Sequence, residues 1–428
     1  MERVLRRCQV LKGEVTPPGD KSISHRAVIL NSIAEGEARV SHFSPGDDCQ
    51  ATLCCLRALG VRIVDGSGVL GVTGAGKDGL REPADVLNAR NSGTTMRLLA
   101  GLLAAQPFLS VLTGDESLRS RPMARVVTPL RLMGAGVWGR RRDSLAPLVL
   151  QGGRLHGIDY RLPVASAQLK SLILIAGLFA EGSTIVEEPA VSRDHTERLL
   201  SEMGVGVKRD GLSVTLRPPS MLSATDVNVP ADISAAAYWL VAAAIHPDAR
   251  VRMRGTGVNP TRSGVIDVLA AMGAKVKKTN ERVQSGEPVA ELEAESSELV
   301  GVEVGGELIA RVIDEIPLIA LAGCFARGTT VIRDAQELRV KETDRIAATV
   351  RELSRLGADI QELPDGMVIN GVGRLRGAEC DSRGDHRLAM TLAIAGLVAE
   401  GETVVRNAEA VDISYPAFWS DLDGICTG

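Results

Sequence analysis

The sequence predicts an α/β protein made of six copies of one supersecondary unit, three copies to each of two domains. Three observations predict it. The 428 residues are too many for one ordinary core and suggest two domains of about 200 residues each. A phrase in which an apolar helix ends near Gly and a β-branched strand follows recurs along the whole chain. A second phrase, an amphipathic helix ending in Leu-Gly or Met-Gly, closes the units about seventy residues apart. That spacing is too long for a solenoid repeat and suits a βαβαβ unit.

The first phrase reads Ala34-Glu35-Gly36 leading to Val40, then Ala180-Glu181-Gly182 to Val186, Ala326-Arg327-Gly328 to Ile332 and Ala399-Glu400-Gly401 to Val405. Weaker copies run from Ala105-Gln106-Pro107 to Val111 and from Ala244 through Pro247 to Val251. The closing phrase stands at Leu59-Gly60, Met133-Gly134, Met203-Gly204, Met272-Gly273 and Leu356-Gly357, and is truncated near Leu422-Asp423-Gly424. Its Gly suits a left-handed helix C-cap. One domain is expected at 19–229 and the other at 1–18 plus 230–428. The Pro-containing crossings lie near Thr16-Pro17-Pro18-Gly19 and Val229-Pro230-Ala231. The N-terminal strand Arg3–Glu14 is expected to pair with the sheet of the last unit.

The starts of the six apolar helices carry the chemistry. They read Lys21-Ser22-Ile23-Ser24-His25-Arg26, Asn91-Ser92-Gly93-Thr94-Thr95-Met96-Arg97, Ser166-Ala167-Gln168-Leu169-Lys170, Asp232-Ile233-Ser234, Asp314-Glu315-Ile316-Pro317 and Asp385-His386-Arg387. Pro18-Gly19 is turn chemistry, and Asp20 or Ser22 can cap the first helix. A helix apolar on all sides is buried in its domain. Three such helices would lie parallel, their N-terminal N–H groups emerging on one face with dipoles that favour anions. Two such faces opposed across a cleft would form an anion-attracting site.

Three further stretches add charge. Asp115–Met123 is expected as a loop offering Arg119 and Arg121 as forked donors. Ser192–Glu197 has the form of a helix cap with an extra Arg193. In Leu338–Arg345, helical spacing would put Lys341 and Arg345 on one face with Glu342 pointing elsewhere. Two nucleotide-like matches fail. Gly66–Gly71 fits G-x-G-x-x-G but no helix follows, and Gly71–Lys77 nearly fits a P-loop with Asp78 where a hydroxyl belongs.

Composition excludes other classes. Net charge is −4 and aromatics are 3%, which argues against a nucleic-acid partner. The N-terminus lacks an apolar signal region, and no apolar run approaches the ~20 residues of a membrane span. The seven cysteines (8, 49, 54, 55, 324, 380 and 426) show no Cys-x-x-Cys pair and read as reduced core thiols of a cytoplasmic protein. The six histidines show no metal-ligand spacing.

With these motifs in family order from residue 18 to 416, the chain resembles the 5-enolpyruvylshikimate-3-phosphate synthase (3-phosphoshikimate 1-carboxyvinyltransferase) family of enolpyruvyl transferases. The resemblance rests on Lys21–Arg26, Asn91–Thr94, Arg121-Pro122-Met123, Ser166-Ala167-Gln168, Arg193, Asp314-Glu315, Arg339–Arg345 and Asp385-His386-Arg387. It implies a two-domain inside-out α/β prism (barrel), each domain three βαβαββ-like repeats around three buried parallel helices. It implies transfer of the enolpyruvyl group of phosphoenolpyruvate to the 5-hydroxyl of shikimate 3-phosphate with release of phosphate, by addition and elimination through a tetrahedral intermediate. This is a step of the shikimate pathway of aromatic amino-acid biosynthesis, and it needs no metal or organic cofactor.

By the same resemblance, Asp314 takes the hydroxyl proton, and Glu342 or Lys21 protonates the methylene. Lys21, Gly93, Arg121, Gln168, Arg345 and Arg387 bind phosphoenolpyruvate. Lys21, Ser22, Arg26, Ser166, Gln168, Arg193, Asp314 and Lys341 bind shikimate 3-phosphate. Room beside Gly93 lets glyphosate compete there. A cytoplasmic monomer with no macromolecular or membrane partner is expected. Some positions depart from the family pattern: Arg90 replaces a usual Gly, Ala167 a Ser, Ala231 a common Gly, and Ile413 stands where some members carry Lys. The alternative is the sister transferase acting on UDP-N-acetylglucosamine, which usually carries a Cys in the loop at 115–123; here Arg121 stands in that loop and Cys is absent.

Overall fold

The computed structural model describes residues 1–66 and 68–427. Ser67, inside the Gly66–Gly71 match, lies outside them. The chain divides into two compact units. Unit 1 comprises Met1–Pro18, Pro230–Val283 and Pro288–Gly428, and unit 2 comprises Gly19–Val229 with Gln284–Glu287. The four-residue tip Gln284–Glu287 thus groups with unit 2, whereas the sequence reading assigned all of 230–428 to the other domain.

Each unit has its own hydrophobic core. At the centre of unit 2 are the helices Lys21–Ser32, Gly93–Leu103 and Ala167–Gly177; at the centre of unit 1 are Ile233–Ile245, Ile316–Phe325 and His386–Gly396. Ile316–Phe325 is buried except for Phe325, and every residue of Gly93–Leu103 and His386–Gly396 is buried. Leu, Ile and Ala on all sides drive this, each fully buried Leu or Ile contributing roughly 1.5–3 kcal/mol. In two helices the unburied residues are confined to the start: Lys21 and Ser22 in one, Ala167 and Gln168 in the other.

Six open sheets of three to five strands surround these helices, and among the described residues none closes into a barrel. In unit 2 each sheet joins a short parallel strand to an antiparallel hairpin, as where Val227-Asn228 pairs parallel with Val40-Ser41 and Glu37–Ser41 pairs antiparallel with Val69–Thr73.

The N-terminal strand splits in two. Glu2–Arg6 pairs antiparallel with Glu402–Arg406 of the last repeat, as expected, but Val10–Val15 pairs parallel with Ala249–Met253. The break falls at Cys8, whose N–H donates to Leu397 O. Leu11 also pairs with Cys426, bringing Cys8 and Cys426 into a disulfide with Cα atoms 5.8 Å apart. The expectation of seven reduced core thiols is therefore corrected: five cysteines are free, and of these Cys54 is exposed. Burial pushes the Cys55, Cys324 and Cys380 thiols up to about 12.

Gly66 and Val69 end a β-hairpin, and Lys77 donates to Pro219 O at 3.0 Å beside the Phe179 ring, so neither nucleotide-like motif forms a phosphate cradle. Among the described residues no helix is long and apolar enough to cross a membrane.

Candidate active site

Five of the six central helices are capped by a side chain from their own start. Asp20, Ser92, Ser166, Asp232 and Asp385 accept from the N–H groups of Ile23, Thr95, Leu169, Ser234 and Arg387. The cap fixes the first turn and leaves other N–H groups with the positive dipole end. The starts within each unit are tied together by side chains, so the helices run side by side in the same direction.

In unit 2, Lys21 Nζ donates to Asp48 at 2.7 Å. Gln168 accepts from Arg97 at 2.6 Å and donates to Thr94 Oγ1 at 2.8 Å, bridging two helix starts. Arg121 is buried and donates to Asn91 Oδ1 at 2.6 Å. Arg119, expected to act beside it, is exposed, because the short helix Glu116–Ser120 turns it outward. Gly93 opens its helix under both guanidinium groups. A Cβ there would lie 2.8 Å from an Arg97 nitrogen and 3.4 Å from an Arg121 nitrogen.

Arg26 donates to Thr196 and Ser171 hydroxyls at 2.7 Å each and to Ser22 O at 2.8 Å. Burial, partly offset by Glu197, brings its guanidinium down to about 10, where it stays charged at neutral pH. His25 beneath it shares a hydrogen bond with Thr52, which leads through Thr95 to Ser92. Burial first, then Lys21 and Arg26, lowers the His25 pKa well below 6.5, keeping the ring neutral.

Ser166 uses its oxygen as a cap and keeps its hydroxyl hydrogen for donation. Half-buried Ser22 stands at the first helix start, and half-buried Arg193 precedes helix His195–Glu202. The expected side-chain cap of that helix is not made; Asp194 instead accepts from Arg198 at 2.9 Å.

In unit 1, three cations gather on Asp314: Arg345 at 3.4 Å, Lys341 at 3.8 Å and Arg387 at 3.9 Å. Arg345 is buried and also donates to Asp385 at 2.8 Å and Glu342 at 2.6 Å. Burial works against its charge, but Asp385, Glu342 and Asp314 more than offset it and raise its pKa. Arg387 is raised likewise, burial being overcome by Tyr238, Asp314 and Glu315.

The helical-face reading of 341–345 is corrected. A 3₁₀ turn covers Gln336–Val340, the chain bends through 341–344, and the helix begins at Arg345. The bend turns Glu342 onto Arg345, while Lys341 and Arg345 still meet on Asp314. Glu315, beside Asp314, is fully buried against Arg262 and Ser234.

The departures have local explanations. Arg90 adopts φ +51°, a conformation glycine takes freely, and its side chain turns to Asp47 at 3.6 Å. Ile413 ends a 3₁₀ turn and packs on the unit 1 core. Sequence reasoning missed Asp48 and Arg97 as site members. Arg97 lay within a quoted motif, but nothing local indicated that it faces Gln168.

The EPSP synthase (3-phosphoshikimate 1-carboxyvinyltransferase) family model matches residues 5–422. Two relatives named 3-phosphoshikimate 1-carboxyvinyltransferase come from Desulforudis audaxviator, 54% identical over 97% of both chains, and Gloeobacter violaceus, 55% identical over 96% of both. The solved EPSP synthase of Acinetobacter baumannii superposes with a TM-score of 0.88 at 43% identity, covering 99% of this chain and 98% of that one. By sequence across nearly its full length and by fold alike, the chain belongs to the EPSP synthase (3-phosphoshikimate 1-carboxyvinyltransferase) family.

Proposed function

We propose that, in the enolpyruvyl transfer from phosphoenolpyruvate to shikimate 3-phosphate that defines this family, the helix starts of unit 2 hold substrate anions and the Asp314 cluster of unit 1 moves protons. The observation that carries this reading is the convergence of Lys341, Arg345 and Arg387 on Asp314. Cations at such distances favour the carboxylate form that a base requires. Asp314 removes the proton from the 5-hydroxyl as its oxygen adds to the central carbon of phosphoenolpyruvate. A proton goes to the methylene carbon, which becomes methyl. Loss of one proton of this methyl group with departure of phosphate then restores the double bond in the product. Glu342 or Lys21 handles the methylene proton.

The phosphoenolpyruvate anion is assigned to Lys21, Gly93, Arg121, Gln168, Arg345 and Arg387. Gly93 supports this because, without a Cβ, it lets two guanidinium groups close over its helix start. Shikimate 3-phosphate is assigned to Lys21, Ser22, Ser166, Gln168, Arg193, Asp314 and Lys341. Arg26, whose nitrogens already donate to Ser22, Ser171 and Thr196, adds positive charge and holds that side in place. Glyphosate is assigned to the space beside Gly93. The sister reaction on UDP-N-acetylglucosamine is not favoured, since the matched family is the shikimate 3-phosphate enzyme. The reading further takes the protein as a cytoplasmic monomer that needs no metal or organic cofactor.

The test is phosphate release from phosphoenolpyruvate, with and without shikimate 3-phosphate, in the presence of a chelator. Release only when both substrates are present, undiminished by the chelator, is expected. Loss of release on chelation would overturn the cofactor-free reading. Full activity in Asp314→Asn would overturn the assignment of the base.

A further inference from the structure

We infer that Glu287 and His195 are positioning residues for shikimate 3-phosphate binding, acting through Arg193 and Arg26 from the hairpin tip Gln284–Glu287, which groups with unit 2. The inference rests on the assignment of Arg193 and Arg26 made above.

Strands Lys275–Gln284 and Glu287–Glu295 are joined by Ser285-Gly286, both with positive φ (48° and 74°), as a two-residue type I′ turn requires. The bonds that hold the tip within unit 2 include the following. Gln284 Nε2 donates to Asn228 O at 3.0 Å, and Asn228 N–H to Ser285 Oγ at 2.9 Å. Arg198 donates to Gly286 O at 3.0 Å, and His195 Nδ1 meets Glu287 Oε1 at 2.8 Å. The seat is tight: a Cβ on Gly286 would lie 2.8 Å from Glu202 Cγ.

Two of these bonds fall on the segment that carries the binding groups. His195 is the first residue of its helix, and the preceding Asp194 makes no side-chain cap bond. The helix start is therefore held from outside, by Glu287 on His195 and by Gly286 on Arg198. Thr196, next in the chain, accepts from Arg26 and shares a hydrogen bond with Ser171, both at 2.7 Å. Arg193 lies two residues before His195. A shift of His195 displaces both. The His195 and Glu287 side chains are only 2% and 4% exposed, so removing the carboxylate leaves a buried ring nitrogen without its partner. The charge of Glu287 also reaches Arg26.

The test uses the full-length protein with Glu287→Ala, Glu287→Asp and Arg193→Ala. The readouts are the shikimate 3-phosphate Kd by calorimetry, KM for each substrate, kcat and Tm. Glu287→Ala is expected to raise the Kd and KM for shikimate 3-phosphate about tenfold, with KM for phosphoenolpyruvate and kcat within about twofold. Glu287→Asp keeps the charge but withdraws it by one methylene, and is expected to weaken binding about threefold; this variant decides the matter if the alanine variant does not fold. An unchanged Kd in the folded variants, even with a lowered Tm, would mean that the tip is only a structural strap and would overturn the inference. If Arg193→Ala leaves the Kd unchanged, the underlying assignment fails and the inference falls with it. If Arg193→Ala weakens binding while both Glu287 variants bind normally, the inference alone fails.

Discussion

Unit 2 and unit 1 offer the same scaffold of three buried helices with clustered starts, yet several arginines near those starts meet different partners. In unit 2, Arg97 meets an amide, Arg121 an amide and a hydroxyl, and Arg26 two hydroxyls and a carbonyl. In unit 1, Arg345 meets Asp385, Glu342 and Asp314, and Arg262 meets Glu315. A neutral partner orients a guanidinium without cancelling its charge. Added to helix dipoles of the same sign, that charge attracts an anion. A carboxylate partner offsets part of the charge, as Asp48 does for Lys21 in unit 2, and adds a group that can exchange protons. On the reading proposed above, the same repeat contributes anion-binding groups in both units and, in unit 1, carboxylates that exchange protons as well.

The largest expected effect bears on unit 1. Asp314→Asn should lower kcat by about 10²–10⁴-fold while leaving shikimate 3-phosphate affinity within about threefold, measured by steady-state kinetics and calorimetry. A loss mainly of affinity would erase the contrast between the units. Next comes a buried charge in unit 2 outside the residues assigned to the substrates. Lys170 is fully buried and pairs with Glu188 at 3.0 Å and Glu197 at 2.7 Å. Lys170→Met leaves two buried carboxylates with Arg209 as their remaining cation. It should cost about 3–5 kcal/mol in denaturant unfolding, with KM values unchanged in the folded fraction.

A smaller effect sharpens the anion-binding side. Gly93→Ala places a methyl group against Arg97 and Arg121. It should raise KM for phosphoenolpyruvate about tenfold and leave that for shikimate 3-phosphate nearly unchanged, since the guanidinium ends must move aside. Equal effects on both substrates would show that the anion sites are not separable.

The smallest effect is one of pH. The folded pKa of His25 lies below the unfolded value of 6.5, so the unfolded chain takes up the proton first. The stability of the neutral buried ring is present above about pH 6.5 and lost as pH falls towards the folded pKa, at no more than about 1.4 kcal/mol per pH unit. Tm measured from pH 7.5 to 5 should therefore fall less steeply in His25→Gln. Identical slopes would remove His25 from the acid response.

Much of the scaffold was legible because its determinants are local. Asp20, Ser92 and Ser166 cap N–H groups three residues ahead, so the helix starts could be read directly along the chain. An all-apolar run is buried whatever surrounds it, which marked all six central helices. The partners of the charged groups are different. Asp48 reaches Lys21 from 27 positions away, and Gln168 reaches Arg97 from 71. The bend that turns Glu342 onto Arg345 breaks the helical spacing the sequence suggests. The split N-terminal strand and the Cys8–Cys426 disulfide depend on pairing between opposite ends of the chain.

By itself the amino-acid order determined the six-fold repeat, the capped and buried helices and the collection of anion-seeking residues at their starts, because caps and apolar periodicity act over a few residues. Only the tertiary structure decided that Arg97 meets Gln168, Arg121 meets Asn91, Arg345 meets Asp385 and Glu342, and His195 meets Glu287. Those outcomes depend on side chains from distant elements meeting at hydrogen-bond distance, and that is set by how the helices and sheets pack.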